Sequence, residues 1–292
     1  MNFDLAKVGV WVASDEYSVS EADIAGYASA INDSVPEHRA GKIAPPLFAV
    51  RQPVSRTMKR ANDLVTSVFC LHGEHDIRFH RPILPGMSLR ARAAVVGVHQ
   101  RRVGVAIVIR CETRASDGEL VNEQYETTFA HRHSVANGGG DEAPDHRMAA
   151  DIASHHHMAS LTYAMTPDQT RRYAEASGDR SPYTFDDNAA RALGLPGAIA
   201  HGLLTMAFCS RAVIEASCGG DSIRLARLAV RFSGLVPVRP GQAITTRIWR
   251  TSAPAGREAF VFDAAEASGT EVIRHGLAEF VSSSRADLPQ ER

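Results

Sequence analysis

Two aspartates in this sequence are each followed, five residues on, by a side chain that can exchange a proton or a hydrogen bond: Asp33 by His38, and Asp179 by Thr184. Histidine titrates near neutrality, so the imidazole of His38 offers a base at working pH. The hydroxyl of Thr184 has no useful basicity near pH 7. Both aspartates also have a purely structural reading, as turn or cap residues whose carboxylates satisfy nearby N–H groups. His38, in Pro36-Glu37-His38-Arg39, reads equally as an exposed loop histidine.

The two sites occupy equivalent places in an internal repeat. Residues 17–38 superimpose without a gap on 163–184, pairing Tyr17 with Tyr163, Tyr27 with Tyr173, Ala28 with Ala174, Ala30 with Ala176, Asp33 with Asp179 and Pro36 with Pro182. In each copy a Ser or Thr (Ser20, Thr166) precedes a short helical pattern, as an N-cap does. A second match links Asp76-Ile77-Arg78-Phe79 and Leu84-Pro85-Gly86 to Val230-Arg231-Phe232 and Arg239-Pro240-Gly241, with two residues' difference in the loop. Behind each Pro-Gly turn, alternation of apolar and polar residues predicts three strands. They fall at about 89–98, 103–114 and 120–130 in the first copy and at 243–249, 259–267 and 271–280 in the second. Asp117-Gly118 and Ser268-Gly269 supply the hairpin turns.

Between the aspartate turn and the strands, each copy carries a long apolar helical segment, 47–65 and 202–216. The expected fold class is therefore α+β: a tandem of two domains, each a long central helix wrapped by an antiparallel sheet that buries its apolar stripe. The expected boundaries are 1–133 for the N-terminal domain, 134–157 for a polar, aperiodic linker, 158–283 for the C-terminal domain and 284–292 for a tail. The linker holds Gly138-Gly139-Gly140 and His155-His156-His157, which read as a solvated tract able to take up metal only adventitiously.

Over 177–202, Gly178-Asp179, Pro182, Phe185-Asp186, Pro196 and Ala200-His201-Gly202 resemble the signature of MaoC-like, R-specific enoyl-CoA hydratases and 3-hydroxyacyl dehydratases. The repeat fits the double-hotdog members of that family, so the resemblance covers nearly the whole chain apart from linker and tail. It implies an Asp and a His five residues later that hold and activate a water for addition to an enoyl double bond, or remove it in reverse. It also implies that the amide of the Gly opening the central helix steadies the thioester oxygen, aided by the positive end of the helix. Carried onto this chain, the second copy keeps Asp179 and Gly202 but has Thr184 where the family has its His. The first copy keeps the spacing in Asp33 and His38. That copy lacks ten residues of the loop and has Pro45-Pro46 where His-Gly is expected, leaving an amide such as that of Leu47 as substitute donor. The expected catalytic residues are Asp33, His38 and Asp179; Ser181, Thr184, His201 and Gly202 are expected to face the substrate, with His201 also read as ordering the helix start.

Composition narrows the alternatives. The chain has 292 residues, 44% of them hydrophobic and 22% charged, which suits two ordinary domains. A formal net charge of -1 and no basic run give nucleic-acid binding no visible source. No signal-like start and no stretch of the roughly 20 apolar residues that span a bilayer are present, which predicts a cytoplasmic protein without a membrane partner. Cys70, Cys111, Cys209 and Cys218 stand singly and read as buried thiols. His72, His75 and His80 have irregular spacing and no companion carboxylate pattern, so packing is expected of them and no metal site. Arg78 and Arg231 are candidates for carrier phosphates or solvated strand residues, and no phosphate-cradling Gly-rich loop follows a strand.

The expected function is a hydro-lyase acting on an acyl thioester of coenzyme A or acyl carrier protein, with no metal or redox cofactor. It would work as a homo-oligomer or in a hetero-oligomer with another hotdog protein. A catalytically degenerate thioester-binding partner subunit is the rival reading, and a thioesterase the third.

Overall fold

The turns and alternating segments build antiparallel β-structure in the computed structural model, which describes residues 2–282. The tail assigned to 284–292 lies outside the described residues. By its contacts the chain divides into two units. Unit 1 takes the residues up to Asp145 together with Tyr173–Arg180; unit 2 takes His146–Arg172 and the chain from Ser181 onward.

In unit 1, Ser20 starts α1 (Glu21–Ala30) with a reciprocal capping box: its hydroxyl accepts from the Asp23 N–H while the Asp23 carboxylate accepts from the Ser20 N–H. Then come α2 (Pro36–Arg39), α3 (Val54–Val65), β1 (Leu71–Phe79), β2 (Ser88–Arg101), β3 (Gly104–Ala115) and β4 (Leu120–His131). The sheet runs β2-β3-β4-β1, with the short strands Val12–Ala13, Tyr17–Ser18 and Gly139–Gly140 pairing with β2. On α3, Val54, Met58, Ala61 and Val65 recur at helical spacing and form one stripe. It packs in a single core with Ala91, Ala93 and Val95 of β2 and Ile107, Ile109 and Cys111 of β3, alternate residues that share a sheet face.

The second copy repeats this order with β5 (Ala159–Ala164), α4 (Gln169–Ser177), whose residues from Tyr173 onward belong to unit 1, and then, in unit 2, α5 (Asp187–Ala192), α6 (Gly202–Cys218), β6 (Leu225–Phe232), β7 (Ala243–Thr251), β8 (Arg257–Glu266) and β9 (Glu271–Val281). Its sheet runs β6-β9-β8-β7-β5. The sequence repeat is kept to the register. Tyr17 pairs with Leu89, and its counterpart Tyr163 pairs with Ile244, each partner three residues beyond its Pro-Gly turn. α6 ends at Gly219 in the left-handed conformation that glycine tolerates, and its buried residues surround the helix rather than lining one side. Phe208 and Cys209 are wholly buried, and the Thr246 hydroxyl of β7 donates to the Cys209 sulfur at 3.6 Å.

One expected helix is shorter than its apolar pattern. Residues 47–65 form a 3-10 turn over Pro46–Val50, and α3 begins only at Val54. Pro53 brings no N–H for a continuing helix and disfavours helical backbone at Gln52, so periodicity alone overran the break. The four cysteines are free; Cys111 and Cys209 are buried and Cys70 and Cys218 half-buried. Among the described residues, no helix is long and apolar enough to cross a membrane.

Gly41, just past α2, has a φ of +74°, and a Cβ there would lie 2.5 Å from the carbonyl oxygen of Glu21. Since that oxygen is backbone, the α2 loop must yield. Gly41→Ala is expected to cost about 1–3 kcal/mol, read as a lower urea midpoint with an unchanged slope; an unchanged midpoint would refute the close approach.

Candidate active site

How Asp33 is aimed follows from the end of α1. Asn32 adopts a φ of 53°, the Asn32 N–H reaches Ser29 O at 3.2 Å, and the Asp33 N–H reaches Ala28 O at 2.9 Å. This Schellman closure reverses the chain at a residue type that tolerates the left-handed region. Pro36 then opens α2 with its φ already suited to a helix, which places His38 in the second half of that single turn.

The two side chains meet. His38 Nδ1 lies 2.8 Å from Asp33 Oδ2, while Asp33 Oδ1 accepts from the Val35 N–H at 2.9 Å. Side-chain exposure is 1% for His38 and 5% for Asp33, so the exposed-loop reading of His38 gives way to a buried, hydrogen-bonded pair. With Nδ1–H donated to a carboxylate pinned from its other side, the lone pair of the neutral ring is left on Nε2, the arrangement of an oriented base. The amide of Leu47 was the substitute donor expected here; what the structure gives Leu47 is a carbonyl that accepts from the Tyr27 hydroxyl at 2.8 Å.

Asp179 also belongs to unit 1. Gly178 precedes it at a φ of +82°, and a Cβ there would meet the Gln52 side chain at 2.8 Å. Gln52 holds this bend twice, its amide side chain donating to Gly178 O at 2.7 Å and its backbone N–H to Ser177 O at 2.8 Å. The Asp179 N–H donates to Ser177 Oγ at 3.2 Å. Its carboxylate acts electrostatically on His72, Glu126 and Tyr173.

The remaining candidates lie in unit 2. Thr184 is fully buried in the turn Pro182–Thr184, and its hydroxyl donates to Ser181 O at 2.7 Å, so the group standing at the family's histidine position is engaged in closing its own turn. His201 is buried at the start of α6. Its side chain makes no capping hydrogen bond, and its carbonyl, as that of any residue at this place would, accepts from Leu204 and Thr205. Gly202 is the first residue of this 17-residue helix, where amides lack intrahelical acceptors; a Cβ there would meet the Phe232 ring at 3.2 Å. Arg78 pairs with Glu123 at 3.7 Å and lies over Tyr125.

A cluster that spacing concealed sits in unit 1. Between His72 and Glu74 the β1–β4 register slips by one residue at Gly73, so His72 opposes Thr128 and His75 opposes Glu126. The bulge turns an i, i+3 pair, which a regular strand would point to opposite faces, onto one face beside the carboxylate of Glu126. His72 Nε2 lies 3.0 Å from His75 Nδ1, and His75 Nε2 lies 3.2 Å from Gln124 Oε1. Burial holds both imidazoles well below histidine's ordinary range and pushes the Glu126 carboxyl up; His75 opposes that rise and Asp179 adds to it. The signal available in the sequence was Gly73 itself, since a lone glycine inside a strand marks a bulge.

Comparison with known proteins gives the chain relatives over both halves. Residues 151–271 match the model of the MaoC like domain, and residues 6–124 match that of the FAS1-like, dehydratase domain region. The chain is 31% identical to 3-hydroxyacyl-thioester dehydratase Y of Mycobacterium tuberculosis over 73% of this chain and 73% of that protein. It is 28% identical to the peroxisomal enoyl-CoA hydratase 2 of Arabidopsis thaliana over 61% of this chain and 59% of that one. Among solved structures, a MaoC-like dehydratase from Phytophthora capsici superimposes with a TM-score of 0.77 at 21% identity, covering 96% of this chain and 98% of the other.

Proposed function

This chain belongs to the MaoC-like double-hotdog family of enoyl-CoA hydratases and 3-hydroxyacyl dehydratases, and from that premise we propose how it works as a hydro-lyase on acyl thioesters. In the hydration direction water adds across the double bond of a trans-2-enoyl thioester, its oxygen joining C3 and a proton joining C2. The base proposed for the water is Nε2 of His38, and Asp33 is the positioning carboxylate that fixes the ring and stabilises the imidazolium formed. The 2.8 Å contact between His38 and Asp33 carries this assignment, because it supplies an oriented base in a chain whose second repeat has Thr184 at the family's histidine position.

Asp179, held at its bend by Gln52, is proposed as a carboxylate that faces water or substrate. In unit 2 the amide of Gly202, at the positive end of a long helix, is proposed as a donor to a thioester oxygen. Ser181, Thr184 and His201 are proposed as substrate-lining residues; the engaged Thr184 hydroxyl would lend shape rather than basicity. The acyl carrier is proposed to be coenzyme A or an acyl carrier protein, and assembly with a like chain or another hotdog protein is proposed with it.

Turnover by the purified chain tests the reading. With trans-2-enoyl-CoA substrates of several chain lengths, the enoyl-thioester absorbance is expected to fall without release of free thiol. Thiol release with the double bond intact would replace the proposal with a thioesterase. No change at any length, on either carrier, would replace it with the partner-subunit reading.

A further inference from the structure

We propose that His72, His75 and Glu126 form a binding site for one divalent transition-metal ion of the zinc class. One ligand atom from each residue lies within 4.8 Å of the other two. His72 Nε2 and His75 Nδ1 are 3.0 Å apart, close to the ~3.3 Å between two nitrogens bound about 2.0–2.1 Å from a tetrahedral zinc. Glu126 completes the set from the neighbouring strand, directly opposite His75. Two imidazole nitrogens and one carboxylate suit zinc and its neighbours rather than magnesium or calcium, which take oxygen.

The support around the ligands makes this more than a cluster. Gln124 donates its amide N–H to the Ala49 carbonyl at 3.0 Å and to Asn122 Oδ1 at 2.8 Å, and the Ala49 carbonyl can only accept. The oxygen of the Gln124 side chain is thereby turned toward His75 Nε2, which must carry the hydrogen. His75 Nδ1 is left as a lone pair directed at His72, and His72 in turn hydrogen-bonds the backbone at Glu74. Fixing a tautomer through the nitrogen remote from the ion is how metal-binding histidines are usually supported. Gly73 contributes the geometry: its bulge puts the two rings on one face, and a Cβ there would sit 3.1 Å from Thr127 O. Three protein ligands leave the fourth position of a tetrahedral ion for water, and the carboxylate of Asp179 is close enough to act electrostatically on His72 and Glu126.

The proposal stands independently of the hydro-lyase reading, because binding is measured without turnover. The full chain should carry His155→Ser, His156→Ser and His157→Ser, which removes the run of three consecutive histidines able to collect metal. After dialysis against a chelator it is titrated with Co2+ and then with Zn2+. One equivalent of cobalt is expected, showing the ligand-field bands of a four-coordinate ion and displaced by zinc. His72→Asn and Glu126→Gln should each weaken zinc binding at least about tenfold, and Gln124→Leu, which touches only a ligand's support, by roughly 10- to 100-fold. Replacing exposed His80 with alanine should change nothing. Absence of saturable binding in the parent chain overturns the site whatever the variants do, and binding that persists in either ligand variant overturns the three-ligand assignment.

Discussion

Replacing His38 with alanine is expected to lower kcat for enoyl-thioester hydration by about 100- to 10,000-fold while leaving KM within a few-fold, the signature of a lost proton-transfer group rather than lost substrate binding. The argument rests on one imidazole whose Nδ1 is engaged by Asp33 at 2.8 Å, which assigns the role of base to Nε2. Because the ring is almost completely buried, His38→Ala also leaves a cavity, and a loss of activity could reflect a loosened α2. His38→Gln separates the two causes: glutamine keeps much of the volume and can donate to Asp33 but has no basic nitrogen. It should retain the parent melting temperature and lose kcat as alanine does. Asp33→Asn should give a smaller loss, since the ring stays in place while its preferred tautomer and the stabilisation of its charged form are weakened. Turnover at the parent level in His38→Gln would remove His38 from the chemistry.

The largest expected loss of stability comes from Phe208→Ala, about 3–5 kcal/mol. Phe208 is fully buried near the middle of α6, with its ring 6.4 Å from that of Tyr163 on β5. α6 is buried around its circumference, so a vacated ring volume has no solvent-facing side into which neighbours can relax. Urea unfolding should show the loss as a lower midpoint, and Phe208→Leu should recover most of it. A loss below about 1 kcal/mol would mean that the helix is not held as described.

The architecture was legible because the signals behind it are local and occur twice. The Pro-Gly turns and the hairpin glycines at 118 and 269, with their φ of +85°, marked strands in both copies; the strands holding Tyr17 and Tyr163, which no alternation announced, pair with the first of them in matching register. The site was legible only in part. Five-residue spacing marked Asp33 and His38, but that their side chains meet depends on Asn32 entering the left-handed region and on Pro36 starting a single turn, a combination that no periodicity reports. That the histidines of β1 meet a carboxylate was hidden from the sequence for a physical reason. Residues three apart on a regular strand point to opposite faces, and the carboxylate that joins them lies on another strand 51 positions beyond His75, from 126 − 75. The start of α3 was overrun because hydrophobic spacing continues across Pro53 although hydrogen bonding cannot.

The assignment of Tyr173–Arg180 to unit 1 bears on how this gene could be dissected. A fragment ending at Asp145 would carry every strand of the first sheet, yet Gln52 would lose both carbonyls it grips, and the Tyr27 ring would lose the edge of Tyr173, 5.9 Å away. Severing the chain in its connecting segment therefore does not produce two self-sufficient halves. One fragment is left with an open seam, and the other holds the peptide that closes it.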